Sequence, residues 1–515
     1  MARHAGRGRV LAIANRSGSG GAAVLVGVFA AVISALGGGR PSLWVDEAAT
    51  VSASTRSLGA LWALLGNVDL VHGAYYLLMH GWLTVFPVTE FWMRLPSAVF
   101  VGLAAAGVVV LGTQLSTRSV GLAAGLVFAV LPRVTLAGIE ARPYALTMVC
   151  AVWLTVVFVA AARHRRRWWW LGYGALLVVS AVVNILVPLV ILAHGAMLVA
   201  GAAARRVVLT WAVTTTAAAV AVLPFATAVF AQRGQIGWVW PISTVTLGQF
   251  FGEQYFPSVY SDGLRVVGPD QQELTAEQLG VAMQGWARVA PMIIVLVGLA
   301  VVAVLRRRDV AGRVGSARVL LWGCGVWILV PTAALITYSL LVDPLYQPHY
   351  LSFTTPALAL LAGLCVVVAA GTSRRIMLAL LVIGVAAMPN YLAQRTAYAK
   401  FGSDYSEVAA LLASRGSPGE CLFVVVDSTP SAAHAVQGAR LVHRDTLRDI
   451  SVERSELQDD SLFSARRDVT AAATRGCAAV WAVGEAADDF PEVAGWAPVQ
   501  RWLFNQSEVI RSERE

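Results

Sequence analysis

Two carboxylates, Asp46 and Glu47, stand side by side in the stretch Ser42 to Ala48, "SLWVDEA", just past an apolar run at 21–39. Carboxylates in an apolar setting are candidates for proton transfer. Adjacent residues in an extended loop point to opposite sides, so one of the two is expected to face a cavity. The plain alternative is a solvated acidic loop that ends the preceding helix, and the neighbouring Trp44 and His72 weigh against it. A second cluster lies in "EARPY", where Arg142 follows Glu140 and Arg133 precedes both. An Arg there can grip a phosphate with its planar fork, or it can simply pair with Glu140 and snorkel. His72 and His80, eight residues apart, would share one helical face about 12 Å apart, too far to bind one metal. His349, in "DPLYQPHY", stands alone among prolines and tyrosines. No HExxH, CxxC or phosphate-loop motif occurs, and Gly37-Gly38-Gly39 is a helix end.

Long apolar elements must carry these groups. The chain of 515 residues is 57% hydrophobic and 13% charged, with a mean hydropathy of +0.67, which excludes an ordinary soluble protein. Runs able to cross a hydrocarbon core fall near 21–39, 95–115, 119–137, 143–162, 168–186, 187–204, 207–230, 289–305, 317–341, 350–370 and 376–392. That predicts eleven spans. The first leads straight into the acidic motif, so it reads as an anchor and not as a cleavable leader. The stretch 72–86 is shorter and carries two His, and is predicted to lie at the interface as an amphipathic or re-entrant helix.

Arg placement orients the spans, because short cytoplasmic loops concentrate positive charge. With 72–86 not crossing, Arg118, Arg163 to Arg167, Arg205 and Arg206, Arg306 to Arg318 and Arg374 and Arg375 all share a side with the N-terminal Arg3, Arg7, Arg9 and Arg16. The N-terminus is then cytoplasmic. The acidic pair, "GIEARPY", the loop 231–286, "DPLYQPHY" and the tail are extracytoplasmic. The net charge of +9 needs no nucleic acid as partner, since Arg at helix ends meets membrane lipid.

Charge changes sign near residue 392: 26 Arg face 12 acidic residues before it, and 13 basic face 18 acidic residues after it. The expectation is a membrane domain, 1–392, and a small α/β domain, 393–515. In the tail "YSEVAALLASR" and "SARRDVTAAATRG" read as helices, and "CLFVVV" and "CAAVWAV" as strands. Parallel pairing of those strands would bring Cys421 and Cys477 together as a disulfide in an oxidising compartment. Cys150, Cys324 and Cys365 sit inside apolar runs as small hydrophobes.

The order "LWVDEA", then a His- and Tyr-bearing helix ending in "EFWMRLPSAVFVG", then "EARPYAL", then "QPHYLSFTTPALALLAG" resembles the GT-C superfamily of glycosyltransferases that use polyprenyl-phosphate sugars. Its closest likeness is to the branch of protein O-mannosyltransferases and aminoarabinose transferases, over residues 20–370. The resemblance implies an all-α polytopic membrane domain of GT-C fold, and an enzyme that moves a sugar with inversion onto an extracytoplasmic acceptor. It implies Asp46, with Glu47 beside it, as catalytic carboxylates: a hydroxyl must lose its proton as it attacks the anomeric carbon. The leaving phosphate would meet Arg142, and Tyr346, Gln347, His349 and Tyr350 in the late motif. His72, Tyr75, Glu140 and Trp44 would line the site. Two departures stand out: His72-Gly73-Ala74 replaces the His-Pro-Pro often found there, and His349 replaces an Arg before Tyr350. The resemblance further implies a polyprenyl-phosphate-sugar donor and a glycan, lipoglycan or protein acceptor. No cofactor is required, and no ligand set indicates a divalent cation. Mannose is the expected sugar, in an actinobacterial type of envelope chemistry, with arabinofuranose as the alternative. A transporter or lipid flippase also suits the spans, although no repeat of broken helices pairs two halves.

Overall fold

The structure, a computed structural model, describes residues 19–164, 166–237, 239, 241–242, 252–258, 276–314, 317–425, 430–486 and 490–515. Arg3, Arg7, Arg9, Arg16 and Arg165, half of the loop 231–286 and the side chains of residues 307–316 lie outside that description. In chain order the helices are α1 (Ser19–Ala35), α2 (Val45–Ser54), α3 (Leu58–Asn67), α4 (Gly73–Leu83), α5 (Glu90–Leu115), α6 (Arg118–Val130), α7 (Pro132–Ala137), α8 (Tyr144–His164) and α9 (Arg167–Val183). They continue with α10 (Val190–Ala200), α11 (Arg205–Ala231), α12 (Ala276–Val314), α13 (Arg318–Leu341), α14 (Thr355–Ala370), α15 (Ser373–Ala393), α16 (Tyr405–Arg415) and α17 (Pro430–His443). The strands are β1 (Cys421–Val424), β2 (Arg448–Asp449), β3 (Val452–Arg454), β4 (Ala465–Arg466), β5 (Val480–Glu485), β6 (Trp496–Leu503) and β7 (Ser507–Arg514).

Every predicted apolar run is helical. Among the described residues seven helices are long and apolar enough to cross a membrane, and shorter apolar helices occupy the remaining runs. The protein is therefore a multi-pass membrane protein. Residues 72–86 form an 11-residue helix, α4, too short to span at 1.5 Å per residue.

The chain divides into two compact units. The first comprises Met1–Leu36, Leu95–Ile139 and Pro143–Ala393, and holds the long apolar helices. Small residues let its helices approach closely, as is general within membranes. A Cβ built on Gly102 would lie 2.6 Å from the carbonyl oxygen of Gly27, and one on Gly27 2.8 Å from that of Gly102. Thr117 opens α6 by accepting the N–H of Val120 at 3.3 Å, which satisfies one of the orphan donors of a helix N-terminus.

The second unit comprises Gly37–Arg94, Glu140–Arg142 and Gln394–Glu515. Its five-stranded sheet has the order β2-β1-β5-β7-β6, with β1 parallel to β2 and β5, and β7 antiparallel to β5 and β6. Val408, Leu412, Leu422, Val424, Val436 and Trp481 form the core on one face, under α16 and α17. The opposite face buries Phe423, Val480 and a disulfide between Cys421 and Cys477, whose Cα atoms are 5.6 Å apart. The predicted helix "SARRDVTAAATRG" is absent: β4 and turns occupy it. Hydrogen bonds outweigh helix propensity there, because Arg466 donates to Asp449 at 3.1 Å and to Ser451 at 2.7 Å, and the Arg467 N–H to the Ser451 carbonyl at 2.9 Å.

Candidate active site

Asp46 and Glu47 lie in the first turn of α2 and not, as expected, in an extended loop. Carboxylates are favoured there by the exposed N–H groups and the helix dipole. About 100° of helical rotation therefore separates them, and their surroundings differ completely.

Glu47 is 0% exposed. Arg94 grips it with Nε 2.8 Å from Oε1 and Nη2 2.7 Å from Oε2. Lys400 lies 2.8 Å from Oε1, and the Ala141 N–H donates to the same oxygen at 2.9 Å. Burial alone would raise the pKa of this carboxyl; Arg94 and then Lys400 outweigh burial and hold it at about 2. Glu47, expected as a second catalytic carboxylate, has no surface on which to meet a substrate. It is a structural anchor. Arg94 also donates to the carbonyls of Gly38, Pro41 and Ser42 at 2.8, 2.7 and 3.1 Å, which shapes the loop entering α2. Lys400, the one Lys of the chain, comes from the segment beyond the last apolar run. That segment binds the same loop: the Ser42 N–H donates to Ala397 at 2.8 Å and the Leu43 N–H to Ser406 at 3.0 Å.

Asp46, by contrast, has a side chain 23% exposed, and its Oδ2 lies 3.5 Å from Nε of Arg142. Glu47 holds the two in register, because it accepts from Ala141, the neighbour of Arg142, while Thr50 of α2 donates to the Ala141 carbonyl at 2.8 Å. The terminal nitrogens of Arg142 meet three further groups. Nη1 donates to the Asp46 carbonyl and to the Tyr76 hydroxyl, both at 3.3 Å, and Nη2 lies 3.3 Å from Nε2 of His72. Behind them sits Asp69, with Oδ1 2.6 Å from Nδ1 of His72 and Oδ2 accepting from the Tyr76 hydroxyl. Burial raises the Asp69 pKa, and His72, Arg142 and Tyr76 outweigh it to give about 2. Burial, then Asp69, pushes the Tyr76 hydroxyl well above its ordinary value.

Of the expected site residues the structure thus brings together Asp46, Arg142 and His72, with Tyr75 and Glu140 buried in the same unit. Trp44 precedes α2 and stacks on Phe401 at 4.6 Å. Tyr346, Gln347, His349 and Tyr350 belong to the other unit, on the stretch leading into α14. There Tyr346, Gln347 and His349 are buried, and His349 packs on Tyr144 and Tyr350 at 4.9 and 4.8 Å. His80 is within 3.0 Å of the Ser54 carbonyl. Asp69, Tyr76, Arg94 and Lys400 were not predicted as site residues. The local signal for Asp69 was its spacing, three residues before His72 and seven before Tyr76, in an otherwise apolar stretch. Among the described residues, no group of three or more His, Cys, Asp or Glu gathers as for a metal ion.

No protein-family model matches the sequence, and neither does any curated protein. Among solved structures, ArnT from Cupriavidus metallidurans in the apo state is similar over 96% of this chain and 98% of that one, with a TM-score of 0.56 and 14% identity. The same protein bound to undecaprenyl phosphate gives a TM-score of 0.53 and 15% identity over 95% of this chain and 98% of that one. An oligosaccharyltransferase from Archaeoglobus fulgidus covers 90% of this chain and 69% of that one at 13% identity, with a TM-score of 0.47, and carries no weight. At these identities the likeness shows the fold. The chain has the GT-C fold, a polytopic helical membrane domain with a small C-terminal sheet domain.

Proposed function

We propose that this protein is an integral membrane glycosyltransferase that moves a sugar from a polyprenyl-phosphate donor to an acceptor hydroxyl, with Asp46 as general base. The observation that carries the reading is the contact of a part-exposed carboxylate with a buried arginine, Asp46 with Arg142 at 3.5 Å, on a fold shared with a protein solved with undecaprenyl phosphate bound. In the reaction the acceptor hydroxyl gives its proton to Asp46 while its oxygen attacks the anomeric carbon. The bond from that carbon to the phosphate oxygen breaks, and the electron pair leaves with the phosphate. Arg142 stabilises the charge developing there, and the phosphate needs no proton. Attack opposite the leaving group inverts the anomeric carbon.

Orientation follows from the Arg distribution: the N-terminus in the cytoplasm, and Asp46 and the sheet domain outside. The sequence resemblance favours mannose as the sugar and a lipoglycan or protein as acceptor, with arabinofuranose as the alternative. The test is transfer in membrane vesicles from radiolabelled polyprenyl-phosphate mannose and, in parallel, polyprenyl-phosphate arabinose, comparing wild type with Asp46→Asn. Label passing to acceptor with either donor and lost in the variant supports the reading. Equal transfer by both proteins removes Asp46 as base, and transfer with neither donor rejects the function.

A further inference from the structure

We propose that Asp69 is a positioning residue: it accepts hydrogen bonds from His72 Nδ1 and the Tyr76 hydroxyl, and so obliges both to present lone pairs to Arg142. The inference rests on the functional reading above, in which Arg142 meets the phosphate. An ionised carboxylate only accepts hydrogen bonds, and an arginine only donates them. The two groups between Asp69 and Arg142 must therefore donate to one and accept from the other.

The geometry has this polarity at both groups. The Tyr76 hydroxyl donates to Asp69 Oδ2, which leaves its oxygen to accept from Arg142 Nη1 at 3.3 Å. The His72 ring meets Asp69 Oδ1 through Nδ1 at 2.6 Å and Arg142 Nη2 through Nε2 at 3.3 Å. That arrangement suits the neutral ring with its proton on Nδ1, because a proton on Nε2 would face another donor. Both terminal nitrogens of Arg142 are thus aimed by groups whose own direction comes from Asp69. The backbone shows the same commitment. Asp69 has φ 61° and ψ 27°, in the left-handed region that side chains enter at a cost and Asp and Asn enter most readily. This conformation starts the short turn Leu70–His72, which folds His72 back over the Asp69 carboxylate. Asp69 is 8% exposed, and His72 and Tyr76, which it touches, each touch Arg142 in turn.

Asn fits the left-handed backbone as well as Asp and keeps the shape, but its NH2 donates, so it can reverse either hydrogen bond. The full-length protein in detergent is titrated with undecaprenyl phosphate as probe, for wild type, Asp69→Asn, Arg142→Gln and the double variant. Asp69→Asn is expected to melt with wild type and to bind the probe at least about tenfold more weakly. Adding it to Arg142→Gln is expected to cost nothing further, because its effect passes through Arg142. Binding within twofold of wild type, or losses that multiply in the double variant, would overturn the positioning role. Nitrogen-15 spectra of histidine-labelled protein, with His72→Gln for assignment, give a readout independent of any ligand. The Nδ1-protonated neutral ring is expected in wild type and its loss in Asp69→Asn; a proton on Nε2 in wild type overturns the proposal. Should wild type bind no undecaprenyl phosphate, the functional reading fails, and the tautomer of His72 still decides the role of Asp69.

Discussion

The clusters around Glu47 and Asp46 each set a carboxylate beside an arginine, one residue apart in the chain. Around Glu47 two cations and a backbone N–H occupy both oxygens, at distances from 2.7 to 2.9 Å, in a site with no exposed surface. Around Asp46 the ion pair with Arg142 is longer, 3.5 Å, and nearly a quarter of the side chain is open. Saturation makes the first cluster a fastener. A longer contact and an open side chain leave the second within reach of solvent. One chemical pair thus meets two environments, and what separates them is how closely the charges approach and how much water is excluded.

The sharpest way to break the comparison is Arg94→Gln. It strips Glu47 of its bidentate partner and frees the carbonyls of Gly38, Pro41 and Ser42. Removing one partner of a buried pair costs about 3–5 kcal/mol, a large part of a total stability of about 5–15 kcal/mol. Thermal unfolding in detergent should show a large drop; a melting point equal to wild type would mean that Lys400 alone fastens Glu47. Asp46→Asn should do the reverse, with melting unchanged and turnover down about a hundredfold or more, equivalent to about 2.7 kcal/mol of barrier. Transfer assays and melting curves on the same preparation check both halves.

A smaller effect is expected from the opposite side of α2. Gly438 of α17 lies so close that an added Cβ would come within 2.6 Å of the Ala48 Cα, one residue beyond Glu47. Gly438→Ala forces the two helices apart, at about 1–3 kcal/mol for overpacking. Because α2 carries Asp46, activity should fall along with stability. A variant that melts lower yet retains full turnover would show that the sheet domain supports the fold without positioning Asp46.

Much of this was legible in sequence because it is local. Membrane spans announce themselves by unbroken apolar length, and all eleven runs are helical. Asp46, His72 and Arg142 stood out as polar groups in apolar surroundings. The role of Glu47 was hidden, since its partners lie 47 and 353 positions away at Arg94 and Lys400, and nothing in "VDEA" tells which carboxylate turns inward. Lys400 could be counted as the only Lys and still not be placed. The stretch 464–476 misled for the same reason: its alanines favour helix locally, while Asp449 and Ser451 capture Arg466 from elsewhere in the chain.

The finest test concerns why Glu47 has two cations when Arg94 already satisfies both of its oxygens. If Arg94 is sufficient, Lys400→Met should change stability near neutral pH by no more than about 1 kcal/mol, because an apolar chain of similar length can replace a buried charge at little cost. The pH dependence then carries a sign that can be worked out. Burial and the neighbouring Arg94 pull Lys400 down to about 8 from 10.5, against the opposing influence of Glu47 and Glu140. Between those two values the unfolded chain holds a proton that the folded one has released, so the stability conferred by residue 400 rises with pH. Below about pH 8 both states are protonated and the contribution is level. Subtracting Lys400→Met from wild type cancels the other titrating groups. The difference in unfolding free energy should therefore be flat up to about pH 8 and should move in favour of wild type from there toward pH 10.5. A difference that stays flat through that window and moves against wild type only above about pH 10.5 would mean that the pairing with Glu47 outweighs burial, and that the fastener needs both of its cations charged.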